Sequence, residues 1–314
     1  MKEILYVVIP CYKEEAVLPE TARRLEEKMK KLIETNQISP ESKVLFVNDG
    51  SNDRTWEIIE NLHEKNELFA GVNLSRNCGH QNALLAGMTV AVNYADMLVS
   101  MDADLQDDIN AMDEMIDNFQ QGYEVVYGVR SERKKDTWFK RCTAQGFYKF
   151  MAFLGAEIVY NHADYRLMSK RAVEALLEFE EVHLFLRGIV PLIGYRWTTV
   201  AYERGERFAG ESKYPLKKMI SFAFDGITSF SIKPIRFVLN IGLLISAFSF
   251  VMLFWTLIEK FVGTTVPGWT SLMVSVWMLG GIQLICLGVI GEYVGKIYGE
   301  TKKRPKFFIE RTII

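Results

Sequence analysis

The chain has 314 residues, a formal net charge of -2 and a hydrophobic fraction of 49%. The near-neutral charge gives no reason to expect binding to nucleic acid, and the length suggests two domains rather than one. The four cysteines are far apart and form no C-x-x-C pair, which argues against a zinc site or a disulfide framework and favours free thiols.

Short β-rich runs alternate with helix-compatible stretches over the first 130 residues. The predicted strands are 4–9, 43–48, 70–75, 97–101 and 124–129, and the predicted helices are 16–34, 55–65, 81–92 and 109–121. Run 4–9 is too short for a signal peptide and reads as a buried first strand. The alternation predicts parallel βαβ units with helices on both faces of the sheet. Ligands of such folds bind beyond the carboxyl ends of the strands.

Polar segments follow four consecutive predicted strands. They are 10–15, 48–53, 76–79 and 102–106. Each segment alone is a weak signal, but four of them in order, each at a strand end, indicate a functional site. Carboxylate and amide oxygens suit Mg²⁺ or Mn²⁺, and Asp104 and Gln106 are the expected ligands. A cation held there would neutralise a diphosphate leaving group.

The other polar residues of these segments suit a nucleotide. Asp49 and Glu14 could accept hydrogen bonds from a base and a ribose, and Arg76 could donate to phosphate or to neighbouring carboxylates. Structural roles are the alternatives: Asp53 as a cap of the following helix, and Arg76 as a buried ion-pair partner.

Two apolar segments without formal charge lie near the C-terminus, at 237–258 and 269–291. Each reaches the roughly 20 residues that a helix needs to cross a bilayer; a buried helical hairpin is the alternative. Cations precede the first segment and follow the second, which predicts that both termini are cytoplasmic and that the linker is external. Residues 214–232 have the pattern of a helix in the membrane interface, with a surface helix as the alternative.

Several motifs carry a family resemblance. They are P-C-Y-K-E-E, V-N-D-G-S-N-D, S-R-N-C-G-H, D-A-D-L-Q-D, D-Y-R-L-M-S and R-F-A-G-E-S-K-Y. In this order they resemble the motifs of glycosyltransferase family 2, and more closely its polyprenyl-phosphate branch of bactoprenol glucosyltransferases and dolichyl-phosphate-mannose synthases. The two apolar segments and the tail G-E-Y-V-G-K-I-Y-G-E match the bacterial bactoprenol type, so the resemblance covers essentially the whole chain.

The resemblance implies an architecture and an activity. It implies a GT-A, Rossmann-like α/β domain at 1–210, juxtamembrane amphipathic helices at 211–235, two transmembrane helices at 236–295 and a basic cytoplasmic tail at 296–314. The implied reaction is inverting, metal-dependent transfer of one sugar, with UDP-glucose favoured, to undecaprenyl phosphate at the cytoplasmic membrane face. UDP-N-acetylglucosamine and GDP-mannose are the alternative donors. A homo-oligomer, such as a tetramer, is also implied.

The resemblance assigns roles to individual residues. The residues expected to contact the nucleotide sugar are Pro10, Tyr12, Glu14, Asp49, Asp102 and Asp104, and Arg76 is expected to join them. Those expected at the acceptor phosphate are Arg130, Arg207, Ser212 and Lys213. Asp104 and Gln106 are expected to hold the metal. Asp164 matches a position near the reaction centre, so catalysis is expected to depend on Asp104, Asp164 and Arg130.

The acceptor's chemistry bears on the role of Asp164. A phosphate monoester has a second pKa near 6, so it is already a nucleophile at neutral pH. It needs cations that dock it in line more than it needs a base. Arg130 and the cations at 133–141 could provide them; binding of anionic lipid heads is the alternative for 133–135. Asp164 is therefore as well suited to orienting a substrate as to abstracting a proton.

Two other functions fit less well. A processive polysaccharide synthase needs a channel, which two helices cannot build, and its Q-x-x-R-W motif is incomplete because Ile193 stands where Gln is required before Arg196 and Trp197. A non-catalytic scaffold that binds nucleotide sugars would not need intact D-A-D-L-Q and R-x-x-G-x-S-K sequences.

Overall fold

The computed structural model describes residues 2–130, 162–181, 186–203, 205, 235, 238, 240, 242, 244, 251 and 268–314. The chain divides into two compact units. The first comprises Met1–Tyr148, Glu157–Tyr214 and Lys303–Ile314, and the second comprises Lys149–Ala156 and Pro215–Lys302.

Strands and helices alternate through the first unit. In chain order they are β1 (Leu5–Cys11), α1 (Leu18–Glu34), β2 (Lys43–Asn48), α2 (Thr55–Lys65), β3 (Phe69–Leu74), α3 (His80–Ala91), β4 (Met97–Ser100), α4 (Ala111–Gln120), β5 (Val125–Arg130), β6 (His162–Ser169), α5 (Lys170–Leu177), α6 (Leu186–Leu192), β7 (Trp197–Tyr202) and β8 (Ile309–Ile313). The predicted elements between residues 4 and 130 are confirmed, with bounds that differ by at most two residues.

Within the described residues the strands form one sheet in the order β7-β5-β6-β4-β1-β2-β3-β8. Strands β1 to β4 pair in parallel, as predicted. The sheet as a whole is mixed, because β6 runs antiparallel to β4 and β5, and β8 runs antiparallel to β3. The expectation of parallel pairing therefore holds only for the first part of the sheet and for the β5–β7 pair.

The central strands form because they are apolar on both faces. Every residue of β1 is buried, as expected for a parallel strand covered by helices on both sides. Helix α1 contributes its apolar stripe, including Leu25, Met29 and Leu32, to the same core. Helix α3 approaches β1 and β2 closely at Gly87, where an added Cβ would lie 2.4 Å from Val8 Cγ1.

The second unit contains a helix that is longer than the predicted span at 269–291. This helix, α7, runs over Trp269–Thr301. Among the residues that the structure describes, no helix has the length and apolar character required to span a membrane. The predicted cationic cluster at 133–141, the interfacial helix at 214–232 and most of the span at 237–258 lie outside the described residues. The membrane segments therefore stay a prediction.

Candidate functional site at the carboxyl edge of the sheet

The loops that follow β1, β2 and β3 meet at the carboxyl edge of the sheet, as the strand-end motifs predicted. The backbone N–H of Lys13 donates to Ser51 Oγ at 3.0 Å, and that of Glu14 donates to Thr55 Oγ1 at 3.1 Å. Asp53 accepts from the backbone N–H of Thr55 at 3.2 Å, so it has the structural role at the start of α2 that was its alternative, although Arg54 occupies the N-cap position itself. These contacts tie the first two loops together.

Asp49 joins the loop that follows β2 to the loop that follows β3. Its two carboxylate oxygens accept the backbone N–H groups of Cys78 and Gly79 at 2.6 and 3.0 Å. Burial raises the pKa of Asp49, and these two hydrogen bonds and His80 oppose that rise. In this structure the carboxylate therefore orients the turn into α3, and its predicted contact with a base stays a prediction.

The remaining predicted nucleotide residues differ in exposure. Pro10 is buried within β1, Glu14 is half-buried, and Tyr12 is exposed. Arg76 is also exposed, so the alternative that it is a buried ion-pair partner is wrong. An exposed guanidinium at this edge is available to a phosphate.

The loop after β4 presents its polar residues in alternation. Asp102, Asp104 and Gln106 are partly exposed, whereas the residues between them are buried. The turn depends on Leu105, whose φ of 58° lies in the left-handed region. The backbone N–H of Gln106 donates to Asp104 Oδ1 at 3.2 Å. Both predicted metal ligands thus come from one short turn with accessible side chains.

These oxygen donors fit a hard divalent cation. Mg²⁺ is usually bound by one or two carboxylates, with water and substrate phosphates completing its shell. Over the described ranges, no group of three or more His, Cys, Asp or Glu side chains is arranged to hold a metal. A cation held by Asp104 and Gln106 would complete its shell with water and substrate phosphates.

Asp107 connects this loop with the predicted acceptor residue Arg130. Tyr202 Oη donates to Asp107 Oδ1 at 2.5 Å, and Arg130 Nε donates to Tyr202 Oη at 3.4 Å. Arg130 Nη2 lies 3.9 Å from the same carboxylate oxygen. Burial lowers the pKa of Arg130, but Tyr202 and Asp107 outweigh it, so the pKa lies above its usual value. Arg130 is therefore a fixed cation beside the acidic loop.

Asp164 lies on β6, next to β4. Its backbone carbonyl accepts from Ser100 Oγ at 2.6 Å. Its carboxylate accepts from Arg166 Nη2 at 3.2 Å and from Arg187 Nε and Nη2 at 3.2 and 3.0 Å. Burial raises the pKa of Asp164, but the two arginines lower it well below its usual range. The carboxylate is ionised and engaged at neutral pH.

His80 lies between the two acidic positions. Its Nε2 is 3.4 Å from Asp102 Oδ1 and 4.0 Å from Asp164 Oδ2. Burial raises the pKa of Asp102 to about 6, and His80 opposes that rise. The roles of His80, Arg166 and Arg187 were missed by the sequence analysis. His80 and Arg166 lie inside recognised motifs, whereas Arg187 carries no local signal.

The structure brings most of the predicted residues to one edge. Neighbouring loops and strands at this edge carry the residues predicted for the nucleotide, the metal and the reaction centre, and they also carry Arg130. Arg207, Ser212 and Lys213 lie outside the described residues. An acidic loop beside fixed arginines can hold a metal–diphosphate and a second anion, which is the arrangement that transfer of a group from a diphosphate to a phosphate requires.

The fold and this site define the class of protein. Residues 6–177 match the family model described as glycosyl transferase family 2, and residues 233–297 match the GtrB C-terminal hairpin. The chain belongs to glycosyltransferase family 2 and is a glycosyltransferase with a GT-A α/β fold.

Individual relatives match over nearly the full length. The chain is 51% identical to "Uncharacterized glycosyltransferase YkoT" of Bacillus subtilis (strain 168), covering 98% of this chain and 91% of that protein. It is 39% identical to the bactoprenol glucosyl transferase of Shigella phage SfV, covering 97% of both. A glucosyl-3-phosphoglycerate synthase from Mycobacterium tuberculosis, solved with Mn²⁺, UDP and phosphoglyceric acid, has a TM-score of 0.45 at 15% identity over 72% of this chain and 76% of that one. That level of similarity supports no functional comparison.

Proposed function

We propose that this glycosyltransferase transfers one sugar from a nucleotide sugar, with UDP-glucose favoured, to a polyprenyl phosphate such as undecaprenyl phosphate. The observation that carries the proposal is the position of the acidic loop at one sheet edge, where Asp107 lies beside Arg130 and His80 lies between Asp102 and the Asp164–Arg187 pair. Relatives named bactoprenol glucosyl transferase support the lipid acceptor and the glucosyl donor.

The acidic loop is the donor side of the proposed site. Asp104 and Gln106 would hold a divalent cation, Mg²⁺ or Mn²⁺, through oxygen donors. Bound there, the cation would neutralise negative charge on the diphosphate leaving group. Tyr12, Glu14 and Arg76 line the adjoining loops and would contact the nucleotide.

The basic residues form the acceptor side. A phosphate monoester is largely dianionic at neutral pH and attacks without a base. Its oxygen forms the new bond to the anomeric carbon while the bond to the diphosphate oxygen breaks, and the diphosphate leaves with the electron pair. Attack opposite the leaving group inverts the anomeric configuration. Arg130 would dock the attacking phosphate, because a fixed guanidinium positions an anion without needing to exchange protons.

Asp164 is poorly suited to serve as a base in this reaction. An efficient general base has a pKa near the working pH. The pKa of Asp164 is lowered well below its usual range, and both carboxylate oxygens accept hydrogen bonds from arginine. Its contacts favour a role in holding the cations in place.

The proposal also includes the membrane. The match of residues 233–297 to the GtrB C-terminal hairpin overlaps the two apolar segments at 237–258 and 269–291. We place the catalytic unit and both termini on the cytoplasmic side of the cell membrane, where nucleotide sugars are made, and we expect a homo-oligomer. A lipid phosphate could then enter the site while its chain stays in the bilayer.

A transfer assay tests the proposal. Purified full-length protein in detergent receives Mg²⁺ or Mn²⁺, undecaprenyl phosphate and labelled UDP-glucose, UDP-N-acetylglucosamine or GDP-mannose; extraction into organic solvent reports lipid-linked sugar. We expect product with UDP-glucose, no product with EDTA, and a loss of about 100-fold or more in Asp104→Ala. Asp117→Ala is the matched control, because Asp117 is exposed on α4.

Other outcomes lead to other functions. Product from another donor would correct the sugar and leave the reaction class intact. A polymer on the lipid would indicate a processive synthase. If folded wild-type protein yields no lipid-linked sugar from any donor, the polyprenyl phosphate acceptor is rejected and the scaffold function is favoured.

A further inference from the structure

We propose that Arg187 is a phosphate-binding residue of this active site and that Asp164 is the residue that positions it. The inference rests on the proposed function, which provides two phosphates: the diphosphate of the nucleotide sugar and the monoester of the acceptor. Both present oxygens that a guanidinium binds in the same way.

The geometry holds Arg187 in one orientation and leaves it accessible. Asp164 accepts from both Nε and Nη2, at 3.2 and 3.0 Å, along one edge of the guanidinium. A two-point contact of this kind fixes the plane of the group. The Arg187 side chain is 35% exposed, whereas that of Asp164 is 14% exposed. An oriented guanidinium therefore lies between a buried carboxylate and the solvent.

Asp164 also neutralises a second arginine, Arg166. Arg166 has a fully buried side chain and forms its ion pair with Asp164 at 3.2 Å. A buried guanidinium needs its counter-ion, so Asp164 neutralises Arg166 and is shared with Arg187. One carboxylate thus serves two guanidinium groups, and Arg187 is the accessible one of the two.

A second arginine strengthens the attraction for an anion. The charge of Arg187 acts to lower the pKa of Arg130, so the two guanidinium groups lie within electrostatic range of each other. Arg130 lies beside Asp107, and Arg187 pairs with Asp164, which it shares with Arg166. Two guanidinium groups held in proximity repel each other, and a phosphate between them would remove that repulsion.

Steady-state kinetics on the full-length protein in detergent tests the assignment. We expect Arg187→Gln to raise the KM for one phosphate substrate by about tenfold or more, because charge-assisted hydrogen bonds are lost. Arg187→Lys should lose less, since lysine keeps the charge but not the planar fork. A selective rise in the KM for the nucleotide sugar assigns Arg187 to the donor diphosphate; a selective rise for polyprenyl phosphate assigns it to the acceptor.

Two further variants test the role of Asp164 and provide a control: Asp164→Asn and Arg171→Gln. If Asp164 acts through Arg187, Asp164→Asn raises the same KM, and the double variant with Arg187→Gln is no worse than Arg187→Gln alone. Arg171 is an exposed arginine paired with Glu124, so Arg171→Gln should leave both KM values unchanged. A merely structural role would shift the unfolding midpoint of Arg187→Gln without a selective change in KM.

Binding without turnover separates this inference from the proposed function. Titration calorimetry with farnesyl phosphate and with UDP measures each phosphate class directly. If wild-type protein transfers no sugar but Arg187→Gln loses affinity for one probe, the proposed function fails and the inference stands. If Arg187→Gln matches the wild type in both affinities and, where there is turnover, in both KM values, the inference is overturned. A loss of kcat confined to Asp164→Asn would instead identify Asp164 as the base.

Discussion

Aspartates at the carboxyl edge have different tasks because they have different contacts. Asp49 accepts two backbone N–H groups, Asp107 accepts from Tyr202, and Asp164 accepts from two arginines. Asp102 and Asp104 remain partly exposed on the loop after β4. Burial and hydrogen bonding thus separate carboxylates that hold the site together from those that remain accessible to solvent.

The turn at Gly50 gives a prediction for a single residue. Gly50 has a φ of 59°, and an added Cβ would lie 2.4 Å from the Arg76 carbonyl carbon. Gly194 also has a positive φ, of 73°, but its added Cβ meets nothing nearer than 4.0 Å. We expect Gly194→Ala to lower the free energy of unfolding by about 1 kcal/mol for the backbone conformation alone. Gly50→Ala should cost about 2 kcal/mol more, because backbone atoms must move.

Denaturant unfolding of both glycine variants measures this difference. Because the loop at 75–79 would shift, Gly50→Ala should also weaken binding of the nucleotide, whereas Gly194→Ala should not. Equal losses of stability in the two variants would contradict the steric argument.

Membership of the site could be predicted from the sequence only for residues that lie in a short local motif. Asp102, Asp104 and Gln106 lie in one short motif directly after a strand, so their shared location followed from the sequence. The contact of Arg187 with Asp164 spans 23 positions and arises only when the fold brings the start of α6 to β6. His80 was visible within S-R-N-C-G-H, but its approach to Asp102 depends on the turn that Asp49 holds.

At the scale of elements, β8 covers the edge of the sheet at β3. It pairs antiparallel with residues 71–74, and Arg311 forms an ion pair with Glu60 at 2.5 Å. An exposed ion pair contributes at most about 1 kcal/mol. The apolar contact contributes more: Ile313 packs against the hydrophobic core above Gly71.

Alanine substitution of adjacent isoleucines tests this packing. Ile313→Ala should lower the free energy of unfolding by about 2 kcal/mol, since the side chain is partly buried against the core. Ile314→Ala removes the same atoms from an exposed side chain and should change stability by no more than about 0.5 kcal/mol. Thermal and denaturant unfolding of the full chain provide the comparison. Equal effects would show that β8 contributes little packing to the sheet.

The elements were predictable to different degrees for physical reasons. From β1 to α4, apolar runs alternate with amphipathic stretches, and the spacing of the apolar residues identifies each one as a strand or a helix. Strand β8 is short and mixed in polarity, and it forms by pairing with residues far away in sequence, as the Asn73–Glu310 hydrogen bond across 237 positions illustrates. Its residues were expected to be part of a basic tail. The antiparallel direction of β6 also depends on pairing that no local pattern encodes.

For the whole molecule, the distribution of charge predicts how the chain is oriented in a membrane. Lys233 and Arg236 precede the first apolar segment. The nearest cations after the second are Lys296, Lys302, Lys303, Arg304 and Lys306. The linker at 259–268 carries one Glu and one Lys. Cytoplasmic loops are enriched in Lys and Arg, so the linker should be the external segment.

Cysteine labelling in intact cells tests this orientation. A charged maleimide does not cross the hydrocarbon core, because burying an unpaired charge there is too costly. With Cys142 and Cys286 replaced by Ser, we expect Lys260→Cys to react in intact cells and Cys78, which is partly exposed in the catalytic unit, to react only after permeabilisation. Labelling of both residues only after permeabilisation would mean that the hairpin does not cross the membrane. Labelling of Cys78 alone in intact cells would mean that the orientation is reversed and that cytoplasmic nucleotide sugars cannot reach the site.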